Sequence, residues 1–464
     1  MKPDTALAVV PRCRRTPRPR AAKPMSIGIA IATSLVLSAC GGGGGDGSAP
    51  SATAVTATEG RAVATYMRDW YLWNDRLPAT DPPEADSAEA TLEALRARPI
   101  DRYSYVEPRA VAQAFFDEGR TVGLGLGYAV APDQASLAVR FVQPDSPAAA
   151  AGLVRGDRIV AVDGTAVATL VAENRVTAAF GPTTAGVSVE LSIQRAGATT
   201  VLTITKAAYD FRAVQADRVV DVAGRRIGYV YLSSFTDPTV PAWRDALARL
   251  VAAGAQDLVV DLRDNGGGRL AAAAAIAGTL APGAADQPFW FVRFNARRAA
   301  SDYIVRMGAP LAGVSFDRVV ALTSGVTCSA SELLVFGLAP WRTVERVGGT
   351  TCGKPVGFNP QPVGADKLLN AVSFGGANRD APADYFDGLA PRCAATDDWR
   401  HPLGDPADPL FAAAVSLITT GACPVPAAGG TPPTAKAPPA PGQAPESART
   451  ARPWRGPLDW TDLR

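Results

Sequence analysis

Histidine is almost absent from this chain: among 464 residues there is one, His401. A single imidazole excludes metal centres built from several histidines and leaves one candidate for a Ser-His-Asp triad. It lies in Trp399-Arg400-His401-Pro402-Leu403-Gly404, which carries no catalytic pattern, so a structural or surface role is expected. Cysteine is scarce as well. Cys13, Cys40, Cys328, Cys352, Cys393 and Cys423 are spaced like no zinc motif, and no metal or organic cofactor is expected. Neither charge dominates, with 46 Lys and Arg against 44 Asp and Glu. The basic surplus is confined to residues 1–24, so no nucleic-acid partner is implied. The apolar run Ile27–Leu37 falls well short of the roughly 20 residues of a membrane span. What the chain does have is 47% hydrophobic against 19% charged residues, enough to bury cores, and a length that at about 150 residues each suggests roughly three domains.

The short apolar run follows a basic stretch and ends in Leu37-Ser38-Ala39-Cys40-Gly41. A basic flank, a short apolar core and small residues at the exit make up a secretory signal. The ending resembles the bacterial lipobox, which implies cleavage before Cys40 and lipidation of its thiol; the alternative is an ordinary signal with an incidental cysteine. Residues 1–39 are therefore expected to be a lipoprotein signal peptide, and 40–58 a flexible linker opening with Gly41–Gly45. A start at Met25 rather than Met1 would strip the basic flank. Residue 42 is Gly, not Asp, which by the same resemblance implies the outer membrane. The expected location is the periplasmic side of a bacterial cell envelope, with the membrane as a partner through Cys40. Four further cysteines in an oxidising compartment permit two disulfides in any of three connectivities. Residues 424–464, rich in Pro, Ala and Gly, read as a disordered tail.

Between these ends the pattern predicts an α+β multidomain chain. Residues 59–118 read as a small helical module with aromatics at Tyr66, Trp70, Tyr71 and Trp73. Residues 119–206 alternate like short strands (Leu137–Val142, Arg158–Val162, Val187–Gln194, Thr199–Thr205) between Gly and Pro turns. Gly123-Leu124-Gly125-Leu126-Gly127, followed by Ser146-Pro147 through Asp163-Gly164, resembles a PDZ domain of the bacterial protease type. In such a domain the amides of the Gly-rich loop hold a peptide's C-terminal carboxylate and a strand edge pairs with its backbone. Residues 207–423 alternate strands (Ile227–Leu232, Leu258–Leu262, Arg318–Leu322, Thr343–Val347) with helices (Pro241–Ala253, Leu270–Leu280, Ser329–Leu338), which predicts a layered α/β domain with parallel pairing.

Two segments of that domain carry candidate chemistry. Thr327-Cys328-Ser329-Ala330-Ser331-Glu332 opens a helix after a strand and loop. A hydroxyl at a helix N-terminus meets unpaired amides and a dipole that favours negative charge, and the amide of Ala330 can donate to an oxyanion. Ser329 with Glu332 equally has the spacing of a capping box. Gly348-Gly349-Thr350-Thr351-Cys352-Gly353-Lys354-Pro355 follows the returning strand and brings Lys354 toward the same edge. A lysine acts as base only when neutral, which requires its pKa to fall from about 10.4 toward 7–8 by burial. Lysine is rare after residue 40, at 206, 354, 367 and 436 only, so one set among glycines stands out; an ordinary solvated loop lysine is the plain alternative.

At these residues the chain resembles the C-terminal processing peptidases, or tail-specific proteases, which are exported serine peptidases with a PDZ domain and a Ser-Lys dyad. Ser329-Ala330-Ser331-Glu332 matches their nucleophile motif, and Thr351-Cys352-Gly353-Lys354 matches their Thr-Phe-Gly-Lys. Asp261-Leu262-Arg263-Asp264-Asn265-Gly266-Gly267-Gly268 matches their Asp-Leu-Arg-Asn-Asn-Pro-Gly-Gly loop. The resemblance spans about residues 60–423 and implies Ser329 as nucleophile, Lys354 as base, Gly267 and Ala330 as oxyanion donors, and Gly123, Leu124, Gly125 and Leu126 as the peptide-carboxylate loop. Many members carry a Gln four residues after the lysine to orient its amine. Here that position is Phe358, so the task is absent or passes to Asn359 or Gln361. If the implied dyad forms, Cys328 and Cys352 are drawn together, and the expected bridges are Cys328–Cys352 and Cys393–Cys423. The resemblance thus implies a lipid-anchored endopeptidase acting on protein or peptide substrates with accessible C-termini. The alternative is a catalytically impaired pseudo-protease serving as a peptide-binding scaffold. A His-Asp-Ser enzyme is disfavoured, since no histidine precedes Ser329.

Overall fold

The computed structural model describes residues 52–83 and 87–424. Cys40, the expected signal peptide and the tail from 425 lie outside the described residues.

The first described helix, α1 (Ala52–Trp70), begins inside the stretch expected to be linker. After α2 (Ala88–Leu95), capped by Ser87 accepting from Ala90 N, the chain forms strand β1 (Tyr105–Pro108) and helix α3 (Arg109–Phe116). Within the module expected to be helical lies the strand β1, which pairs antiparallel with a strand far along the chain: Val106 lies opposite Leu369. The core beneath α1 and α2 is shared in the same way, with Met67, Tyr71, Leu92 and Leu95 packing against Val356, Val363, Leu369 and Val372. Local apolar spacing signals the helices but carries no sign of this distant partner.

Strands β2 (Arg120–Gly123), β3 (Leu126–Val130), β4 (Leu137–Val142), β5 (Arg158–Val162), β6 (Ser188–Arg195), β7 (Ala198–Thr205) and β8 (Ala207–Asp210) follow. β2 pairs with β8, and the main sheet runs β3-β4-β5-β6-β7, which leaves β3 on an edge. Alternation is visible in β6, where Val189, Leu191 and Ile193 face the core and the residues between face outward. The segment Gly123–Leu126 turns from β2 into β3 with Gly125 at φ +82. Its carbonyls are already occupied: Leu124 O accepts from Ala148 N and Gly125 O from Gln143 N.

The third part is a six-stranded sheet of β9 (Val214–Val222), β10 (Arg225–Leu232), β11 (Asp257–Asp261), β12 (Val319–Thr323), β13 (Val344–Gly348) and β18 (Cys393–Ala394) in that order. It is parallel except where β9 meets β10. Both faces of β10 are apolar because both are covered. Val230 and Leu232 pack with helices α4 (Thr239–Ala252), α5 (Leu270–Leu280) and α6 (Ala330–Leu338). Ile227, Tyr229 and Tyr231 face α7 (Pro409–Thr420) with Leu410, Phe411, Leu417 and Ile418. α7 carries its own start and stop: Asp408 accepts from Leu410 N, Pro409 takes the first turn, and Gly421 ends it at φ +75. Between β13 and β18 lie β14 (Gly357–Phe358), β15 (Gln361–Val363), β16 (Lys367–Asn370) and β17 (Val372–Ala377), and β16 is the partner of β1.

Candidate active site

Three loops leave the C-terminal ends of parallel strands and meet, as ligand-binding loops of α/β sheets do. The loop after β11 is the scaffold. Asn265 O accepts from Cys328 N (3.1 Å) and from Ser331 Oγ (3.0 Å), while Leu262 O accepts from Thr327 Oγ1 (2.8 Å). These bonds pin the start of α6, where Ser329 sits at φ +55, ψ −117. A positive φ in a residue with a Cβ costs on the order of 1–3 kcal/mol and is tolerated only where the surroundings impose it. Gly267 leaves room for this placement, because a Cβ there would lie 2.8 Å from Ser329 Cβ.

Glu332 joins this loop to the third. It is fully buried, and its carboxylate accepts from Ser329 N (2.9 Å), Gly353 N (2.8 Å), Lys354 N (2.9 Å) and Thr351 Oγ1 (2.5 Å). Burial pushes its pKa up, and those donors oppose the rise. The capping-box spacing in the sequence points to only one of the four bonds. The other three depend on β13 delivering residues 351–354 beside α6, which local sequence does not signal. The disulfide Cys328–Cys352 (Cα–Cα 5.2 Å) crosses the same junction, and Cys393–Cys423 (5.3 Å) ties β18 to the end of α7. Cys328, Glu332 and Cys352 bring three potential metal-ligating atoms together, but two sulfurs bonded to each other offer no thiolate.

Ser329, Ala330, Lys354, Gly268, Phe358, Trp290, Leu333 and Tyr385 are among the residues lining one cavity of about 290 Å³. Burial pulls the Lys354 amine down to about 8, with Glu332 and Asp101 opposing the fall. Its Nζ makes no hydrogen bond to Ser329 Oγ; it rests over aromatic rings, 3.8 Å from the centroid of Phe358 and 5.8 Å from that of Tyr103. Tyr103 OH donates to Gly353 O, and Arg102 Nη2 donates to the carbonyls of Cys352 and Gly353. Tyr103 and Tyr385 were not legible as site residues. They arrive from the segment before β1 and the loop after β17 with no local motif.

The remaining expected residues fall as follows. Ala330 N–H, at the first position of α6, meets no acceptor among the described residues. Gly267 N–H donates to Asn265 Oδ1 (2.9 Å), so this expected oxyanion donor is engaged within its own loop; the neighbouring Gly268 lines the cavity. Asn359 and Gln361 are not among the lining residues, and Gln361 Nε2 donates to Asn359 O. His401 Nδ1 pairs with Asp398 Oδ2 at 2.9 Å and does not line the cavity. Leu124 N–H and Gly125 N–H meet no backbone acceptor and adjoin the free edge of β3.

Residues 226–377, which hold all three loops, match the family model Peptidase family S41. This stretch is an S41 peptidase domain. Residues 59–105 match the Peptidase S41 N-terminal domain and residues 139–173 a PDZ domain. Members of S41 are serine peptidases. Among curated relatives, the chloroplastic carboxyl-terminal-processing peptidase 2 of Arabidopsis thaliana is 31% identical over 245 residues, covering 50% of this chain and 45% of that protein. A carboxyl-terminal-processing protease of Synechocystis is 29% identical over 237 residues, covering 51% and 53%. The chain thus spans about half the length of the curated relatives it matches. A solved S41 protease from Bacteroides fragilis shares the fold, with a TM-score of 0.63 at 21% identity, covering 78% of this chain and 97% of that one.

Proposed function

We propose that this chain is a lipid-anchored serine endopeptidase of a bacterial envelope that captures protein C-terminal tails through its PDZ domain and cleaves them with Ser329 and Lys354. The observation that carries the reading is a lysine amine brought by burial to about 8 in the same cavity as a serine held at positive φ on a helix start. The neutral amine takes the Ser329 hydroxyl proton as Oγ attacks the peptide carbonyl. The carbonyl oxygen, now negative, is met by Ala330 N–H and an amide of the 267–268 loop. When the C–N bond breaks, Lys354 returns its proton to the leaving amine, and water hydrolyses the acyl ester by the same proton route. The resting geometry has two adjustments to make: Lys354 Nζ must swing toward Oγ, and Asn265 must release Gly267 if that amide is to join. Hydrogen bonds of this kind commonly tighten only once substrate is bound.

The unmade Ser329–Lys354 bond also favours the second reading, a peptide-binding scaffold without turnover. Labelling of Ser329 by an active-site acylating probe supports the enzyme; peptide binding by residues 119–206 with no labelling supports the scaffold. Anchoring at Cys40 is supported by the lipobox resemblance alone. Cys40→Ser is expected to remove the diacylglyceryl mass and block signal cleavage before that residue, and an unchanged mass and N-terminus would defeat the anchor.

A further inference from the structure

The Lys354 amine has an aromatic seat. Both ring centroids beneath it, Phe358 at 3.8 Å and Tyr103 at 5.8 Å, lie inside the roughly 6 Å over which a ring face attracts a cation. The Phe358 ring is itself braced edge-to-face by Tyr105 at 5.7 Å, and its backbone is held in β14 against β17. No carboxylate or carbonyl accepts a hydrogen bond from Nζ among the described residues.

We propose that Phe358 is a positioning residue for Lys354, its ring face holding the ammonium in the cavity between proton transfers. The proposal rests on the Ser329–Lys354 reading. A ring quadrupole attracts the ammonium and not the neutral amine, so the seat grips the charged form and loosens its hold as the proton leaves, freeing Nζ to turn to Ser329. Without it, an amine with no acceptor would sample the whole cavity. The seat must also raise the proton affinity that burial lowers. The other groups facing the amine are Glu332 from α6, Asp101 and Tyr103 from the segment before β1, Tyr105 from β1, Tyr385 from the loop after β17, and Arg269 at the cavity wall. Burial raises the three phenols and keeps them neutral in the range where the amine titrates. The charges of Glu332, Asp101 and Arg269 are unchanged by a substitution at 358.

The ring term can therefore be isolated. In the full chain carrying Ser329→Ala, the Lys354 Cε signal is followed by NMR against pH, assigned by its loss in Lys354→Met. Phenylalanines of increasing fluorination at 358 drain the ring face while keeping its shape. The midpoint is expected to fall stepwise along the series, by about one pH unit in total, and to fall likewise in Phe358→Leu. In the enzyme with Ser329 restored, the acid limb of kcat/KM should move by the same amount, and Phe358→Leu should lose about tenfold in kcat. A midpoint that stays constant through the series overturns the seat. A midpoint that follows the ring while the activity limb stays fixed supports the seat and overturns Lys354 as the base.

Discussion

Replacing Ser329 by Ala or Lys354 by Met is expected to cost about 10⁴-fold or more in kcat/KM each, since a nucleophile and its base act as a unit. The two variants part company in stability. Folding lowers the Lys354 pKa from about 10.4 in an unfolded chain to about 8. Between those values the unfolded chain holds a proton the folded one has released, so wild-type stability rises with pH through that window; below pH 8 the full burial cost is present. Lys354→Met should therefore be more stable than the parent at pH 7, by about 1–3 kcal/mol given that the side chain lines an open cavity, and the gap should close near pH 10. Denaturant curves at both pH values measure it. Activity should rise with pH through about 8. Glu332→Gln is a separate case: each carboxylate oxygen accepts from two of the four donors, so two of them face an amide NH₂ instead of an oxygen, and each donor left without an acceptor costs on the order of 1–3 kcal/mol. The lost charge, which favours the ammonium, moves the acid limb of activity to lower pH. Thermal unfolding and a pH–rate profile on the same variant report the two effects.

The elements differ in how openly the sequence announces them. Helix α5 and strand β5 coincide with Leu270–Leu280 and Arg158–Val162, because an alanine-rich run of helical length and a short β-branched run between turns are each local signals. The placement of Ser329 at a helix start and of Lys354 in the same cavity was legible too, since a strand–loop–helix junction and a glycine-bracketed lysine are local features. Hidden were the interactions between segments, such as β1 on β16, the three bonds of Glu332 to residues 351–354, and the rings under Lys354. Even α7 is absent from the sequence reading despite its Asp408–Pro409 start, because an apolar run with no charged residue inside it shows no clear period and does not distinguish helix from buried strand. At this scale the disulfide and the carboxylate are parallel clamps on one junction. Reducing Cys328–Cys352 removes a loop constraint worth on the order of 3 kcal/mol but leaves the Glu332 bonds. The reduced protein should stay folded with lowered kcat, whereas reduction of Glu332→Gln should unfold the junction. Near-UV circular dichroism alongside turnover separates the outcomes.

Across the whole molecule, the PDZ domain is joined to the catalytic sheet by buried charge. Arg140 pairs with Asp264 in the loop after β11. Arg155 pairs with Asp397 and donates to His401 O and Arg140 O. Asp397 in turn meets Arg263, itself held by Asp261 and Asp408. Removing one member of such a pair strands the other, at a cost of about 3–5 kcal/mol. Arg155→Ala is expected to speed hydrogen exchange in β3–β8 while the core of β10–β13 keeps its protection; equal exchange in both regions would refute the link.

The pairing of Val106 with Leu369 also has a meaning in time. Tyr103 and Tyr105 leave the ribosome early, but the strand that fixes them is made much later, a delay on the order of tens of seconds at ordinary synthesis rates. Until then the lysine's surroundings cannot assemble, whatever the state of the nascent helices. A site built this way stays unformed in the nascent chain until residues 367–370 have been made.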